Sequence, residues 1–267
     1  MSAVGAGLSP SPVAQLATLV RQSVRRTLND ASALVVPIAF PLVILAINVA
    51  ALHGVTRLPG FPTRRVVDFA IGLTFLQGAL FAAIPAATDL AVDLETGFLE
   101  RLAMAPVTAG VLLAARLGAV LGAGLVRCGC FLLVALAAGA RVATGPGGVA
   151  ALVVLELLLD AAIASVAFLV ALRSRSGEVV QSLFPAFFVF LMLSSALMPR
   201  ELIDMHWFRL VAEANPVSYL VEAFRSLFID GWDVRALALG AGIAAAISLA
   251  AGLGCARGLR SAMARTG

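Results

Sequence analysis

Lysine is absent from all 267 residues, so the nineteen basic side chains are all arginines. A phosphate-binding loop of the Gly-x-x-x-x-Gly-Lys-Ser/Thr type needs that lysine to reach the nucleotide phosphates, and no such loop can be written in these residues. Charge as a whole is scarce: only 13% of residues are charged, against about 25% in soluble domains. Three cysteines and two histidines offer little for metal or redox chemistry. Cys128 and Cys130 are two apart in an apolar stretch and point away from each other on a helix, while Cys255 stands alone. Neither a disulfide framework nor a metal site follows. His53 and His206 are isolated and far in sequence from any cysteine, so a zinc site is not expected.

What fills the chain is hydrocarbon, at 61% hydrophobic residues against roughly 45–50% for soluble domains. That composition describes an all-α polytopic membrane protein. A span takes about 20 apolar residues, which leaves room for roughly six helices, short loops and no soluble catalytic domain. The formal net charge of +4 is a property of the membrane flanks, and no nucleic-acid partner is expected.

The apolar segments predict spans at about 34–52, 66–91, 107–138, 149–172, 179–198 and 234–256. They form one six-span domain over residues 34–256, between an amino-terminal tail with an interfacial helix (1–33) and a short tail (257–267). From Val13 the apolar positions 13, 16, 17, 20, 24 and 28 share one helical side, and Gln15, Arg21, Gln22, Arg25 and Asn29 take the other. Such a helix lies in the membrane interface with its arginines among phosphates. The first apolar run is too long for a signal-peptide core and is expected to remain as a span. Pro37 and Pro41 fall in its first turns, and Pro85 is expected to kink the second span.

One polar stretch lies between the second and third spans. Leu94, Phe98 and Leu102 recur every four residues, with Leu99 widening the stripe, and Glu95, Glu100 and Arg101 lie on the other side. The pattern predicts a short amphipathic helix on the membrane surface. Pro106 disfavours helical geometry at Ala105 and suits the first turn of the next span. The stretch reads Asp93, then Glu95-Thr96-Gly97-Phe98-Leu99-Glu100-Arg101-Leu102, then Ala105-Pro106-Val107, with Arg116 further on. It resembles the loop between the second and third spans of type-2 ATP-binding-cassette exporter permeases. No basic residue stands within Asp93-Leu94-Glu95-Thr96, where many members carry one.

A second match precedes the last span. Asn215 as a cap with Pro216 in the first turn starts a helix, and Val217, Leu220, Val221, Phe224 and Phe228 form its apolar stripe. Its residues Asn215, Pro216, Tyr219, Glu222 and Arg225 resemble the motif that this family carries in the outer leaflet.

The resemblance implies a coupling role toward a separate ATPase subunit for Glu95, Gly97, Phe98, Glu100, Arg101 and Pro106. It also implies six spans with a second permease chain in a homodimer or heterodimer, both termini cytoplasmic, and residence in a bacterial plasma membrane. ATP and magnesium would sit on the ATPase, so this chain is expected to hold no catalytic or cofactor-binding residue. Arginine placement does not decide the orientation. With the amino terminus inside, nine arginines flank the spans on the inner side, from Arg21 to Arg265, against eight on the outer side, from Arg57 to Arg235.

Inside the spans the costly residues are Arg127, Glu156 and Asp160, since a charge near mid-bilayer costs roughly 2.5–3.5 kcal/mol on insertion scales. Spans three and four form a hairpin that turns near residues 142–144, which sets Arg127 level with residues 157–160. Glu156 and Asp160 are four apart on one face, so the hairpin predicts an ion pair with one or both acids. The run Phe184, Phe187, Phe188 and Phe190 reads as helix packing.

The function expected from all this is the permease subunit of an ATP-driven exporter for a hydrophobic or amphipathic substrate such as a drug, antibiotic or lipid. One alternative is an ATP-independent secondary transporter using Glu156 and Asp160. Another is export of a polysaccharide or glycolipid by the same ATP-driven mechanism. A membrane-embedded transferase fits less well, because its acids would cluster near one surface and here they are scattered.

Overall fold

The computed structural model describes residues 12–29, 31–52, 54, 61–96 and 109–263. Its elements are α1 (Pro12–Asn29), α2 (Ala31–Ala51), α3 (Val66–Glu95), α4 (Ala109–Ala137), α5 (Gly145–Ser174), α6 (Gly177–Gln181), α7 (Leu183–Met192), a 3-10 turn at Arg200–Leu202, α8 (His206–Ala214), α9 (Pro216–Phe228) and α10 (Val234–Met263). All described regular structure is helical. Among the described residues five helices, α2, α3, α4, α5 and α10, are long and apolar enough to cross a membrane.

Helix α3 is apolar on every side, and a helix of that kind has to be surrounded. Phe69, Ile71, Leu73, Phe75, Ala79, Ala83 and Ala87 are all buried along its length, against α2, α4, α5, α6 and α9. The peripheral helices keep apolar side chains outward: Val35, Val43 and Ile47 on α2, Leu249 and Leu253 on α10. Such outward apolar faces suit helices long and apolar enough to cross a membrane, where an exposed aliphatic chain carries no penalty. Pro37 and Pro41 lie within a continuous α2, and Pro85 within a continuous α3.

The amphipathic amino-terminal segment forms α1 and lies along α4. Small residues make the fit: a Cβ at Gly118 or Gly122 would come within 2.8 Å of Val20 or Val24 respectively.

The segment predicted as the fifth span is not one helix. It forms α6 and α7, together spanning Gly177–Met192, followed by turns. Pro185 has no N–H to give to the carbonyl one turn earlier, and the helix breaks at Ser182, whose hydroxyl donates to the Val179 carbonyl at 2.7 Å. At the far end, Ser194 Oγ donates to Leu191 O at 2.6 Å and accepts from Ala196 N at 3.2 Å. Such side-chain bonds compete with the helical ladder and stop α7. The chain then reverses through the 3-10 turn and α8, and α9 runs back beside α3 and α10. α9 begins where its capping chemistry predicts: Asn215 Oδ1 accepts from Val217 N at 2.9 Å with Pro216 in the first turn.

Candidate functional site

Arg127 on α4 is the largest fully buried side chain, at 1% exposure, and faces two fully buried acids on α5. Its Nε and Nη2 donate to Glu156 Oε1 at 3.1 Å and 2.8 Å, and Nη2 also donates to Asp160 Oδ1. Helical spacing puts both carboxylates on one face of α5, and the α4–α5 hairpin brings Arg127 level with them. Close approach is built into the neighbours. A Cβ at Gly124 would overlap Asp160 Oδ2, and one at Gly78 on α3 would sit 2.7 Å from Arg127 Cδ and 2.6 Å from the Phe131 ring. The cluster holds one positive charge against two carboxyls, and Glu156 Oε2 and Asp160 Oδ2 have no hydrogen-bond partner among the described residues. Chemically it is a three-helix clamp: α3 closes over a charge pairing that locks α4 to α5.

An aromatic ladder leads from this clamp to a second one. Phe131, one turn past Arg127, meets Phe75 edge-on at 5.5 Å between centroids, and Phe75 stacks on Phe224 of α9 at 4.9 Å. Next to Phe224, Arg225 is buried with no acid on its guanidinium. Its Nε donates to Phe69 O at 2.7 Å and Nη1 to Ser195 O at 2.6 Å, while Nη2 donates to Ala196 O. The guanidinium also lies 3.5 Å from the Phe69 ring centroid. Arginine suits this position because its planar fork serves three carbonyls at once and stacks on a ring.

Other residues of the motif from Asn215 to Arg225 make contacts nearby. Asn215 Nδ2 donates to Phe190 O at 2.6 Å, pinning the start of α9 to α7. Tyr219 Oη donates to Glu213 O at 2.7 Å, and Arg200 covers its ring at 4.2 Å. Glu222 pairs with Arg200 at 2.7 Å and accepts from Ser195 Oγ at 2.8 Å. Four of the motif residues, Asn215, Tyr219, Glu222 and Arg225, therefore join α9 to α3, α7, α8 and the turns after α7, and Pro216 starts the helix.

Of the six residues assigned to coupling, only Glu95 lies among the described residues; Gly97, Phe98, Glu100, Arg101 and Pro106 lie outside them. The flanks of the stretch are anchored on both sides. Arg116 of α4 pairs with Asp93 near the end of α3. Glu95 Oε1 accepts from the backbone N–H of Gly177, the first residue of α6, at 3.3 Å. Residues 97–108 thus connect two helices that are tied to each other, one of which is also tied to α6.

Sequence reasoning did not find Asp68, which is buried in the first turn of α3 and accepts from Arg141 N at 3.3 Å. The available signal was an acid at a helix amino terminus, where the helix dipole favours negative charge. It also did not find the backbone acceptors of Arg225, because carbonyls leave no mark in a sequence.

Comparison with curated proteins gives no match. A family model does match: that of the ABC-2 type transporter, over residues 14–229, which runs from the first turn of α1 to just past α9 and takes in both motif regions. With the multi-pass helical fold, this match shows that the chain belongs to the ABC-2 type transporter family as a membrane-spanning permease subunit.

Proposed function

We infer that this permease exports a hydrophobic or amphipathic substrate, working as a dimer with energy from a separate ATPase subunit that docks on the segment around residues 97–106. The observation that carries the reading is the anchoring of the described residues that flank that segment, with Asp93 on Arg116 and Glu95 on Gly177. A push on it reaches α3, α4 and α6 together. The chain has no lysine for a phosphate loop, which agrees with an ATPase on another subunit. The outward direction, the inner placement of both termini and a bacterial plasma membrane rest on the resemblance of the two motifs.

An apolar substrate is supported over a sugar by the shortage of side chains that hold sugars. There are one tyrosine and two tryptophans, and Tyr219 is already engaged by Glu213 and Arg200. A proton-driven carrier built on Glu156 and Asp160 is disfavoured by their complete burial, which leaves no aqueous access to either. The experiment is transport of a fluorescent lipophilic cation and of a labelled lipid into inverted vesicles, with and without the ATPase. ATP-dependent uptake only when both subunits are present agrees with the reading. Uptake driven by a pH gradient in the absence of the ATPase contradicts it.

A further inference from the structure

Between α3, α5, α7, α9 and α10 lies a cavity of about 180 Å³ that no role assigned so far uses. Its wall includes Ile163, Phe187, Phe190, Val217 and Ile247, and every lining side chain but one is hydrocarbon. The exception is Gln77 of α3, only 6% exposed, whose Oε1 has no hydrogen-bond partner among the described residues. Phe190 is 54% exposed and marks the mouth, while Phe187 lines the wall and packs against the core.

Two simple occupants fit this wall poorly. A water needs two to four polar partners, and carbon-lined cavities that offer fewer stay dry. An ion would find no counter-charge among the lining residues and would be stranded in low dielectric. An apolar molecule alone would fill the space but leave the Gln77 amide unmet. The size is set by comparison: a dry cavity of roughly 150 Å³ takes up benzene. We propose that this cavity is a ligand site within each permease for a neutral amphiphile, with a ring-sized carbon body against Ile163 and Phe187 and one hydroxyl or N–H donating to Gln77. That chemistry is offered by a free amphiphile and equally by the hydroxyl end of a bilayer lipid. The site goes beyond the exporter reading and needs neither ATP nor the ATPase to be occupied.

The test is photolabelling of the full-length permease in nanodiscs with 4-azidophenol, followed by peptide mapping and competition with phenol or toluene. Label is expected on residues 183–192 and 216–220 and is expected to fall when Ile163→Phe fills the space. Phenol should compete better than toluene by roughly two- to tenfold, the factor one neutral hydrogen bond supplies. In Gln77→Leu, which removes a buried unmet polar group and so does not threaten folding, the phenol preference should be lost or reversed, because its hydroxyl then has no partner. Labelling in native nanodiscs assigns the site to a free amphiphile, and labelling that needs prior removal of lipid assigns it to a lipid hydroxyl. Label absent from both segments before and after lipid removal overturns the proposal. So does label indifferent to Ile163→Phe, or a phenol preference that survives in Gln77→Leu. Because no transport is measured, these outcomes are separate from the fate of the exporter reading.

Discussion

Arg225 and Phe69 hold each other twice: the guanidinium lies 3.5 Å from the Phe69 ring centroid while its Nε donates to the Phe69 carbonyl at 2.7 Å. The two residues belong to α9 and α3, so this contact fixes the returning helix to the central one. Arg225→Lys keeps the charge and loses the fork, leaving buried carbonyls unmet at a cost of about 1–3 kcal/mol. Arg225→Met strands all three acceptors and is expected to cost more. Phe69→Leu removes the cation–π contact, worth about 0.5–2 kcal/mol. Thermal unfolding of the purified permease should show a loss for Lys and a larger one for Met at position 225; a Lys variant as stable as the unaltered chain would contradict the fork.

Removing Arg127 alone strands Glu156 and Asp160 and should cost about 3–5 kcal/mol. Arg127→Met combined with Glu156→Gln and Asp160→Asn removes the charges together and should be tolerated better. Membrane accumulation of the single and triple variants reads this directly. If both accumulate equally, the cluster is not what locks α4 to α5.

The α4–α5 register was legible because a hairpin with one short turn leaves little freedom in which residues lie level. The start of α9 was legible because Asn215 and Pro216 act locally, on the helix they begin. The interruption of the fifth span was harder to read, since apolar content says nothing of how Pro185 and Ser182 split the segment. The Arg225 clamp and the Gln77 cavity were not legible at all. Both depend on long-range packing, the first through carbonyls more than a hundred residues away, as from Arg225 to Phe69.

The Asp93–Arg116 pair is half-exposed, so Asp93→Asn should change stability by no more than about 1 kcal/mol. Its expected effect is on work: ATP-driven transport should fall while the amount of inserted permease stays level. The two are measured on the same vesicles. A fall in both to the same degree would make the pair merely structural.

Glu95→Ala removes the hydrogen bond that ties α3 to the amino terminus of α6. The bond is long and exposed, and its loss should leave folding intact. ATP hydrolysis by the assembled complex should then respond less to added substrate. Unchanged stimulation would remove the link from α3 to α6 from the transmission route.

The most direct test is ATP-driven transport by vesicles carrying the permease with its ATPase, measured together with recovery of the ATPase on the tagged permease. Glu100→Arg and Phe98→Ala should each lower both readings while the permease remains folded and inserted, since a rim charge acts on partner recognition more than on stability. If both variants transport and retain the ATPase as the unaltered chain does, residues 97–106 are not where the ATPase engages this permease.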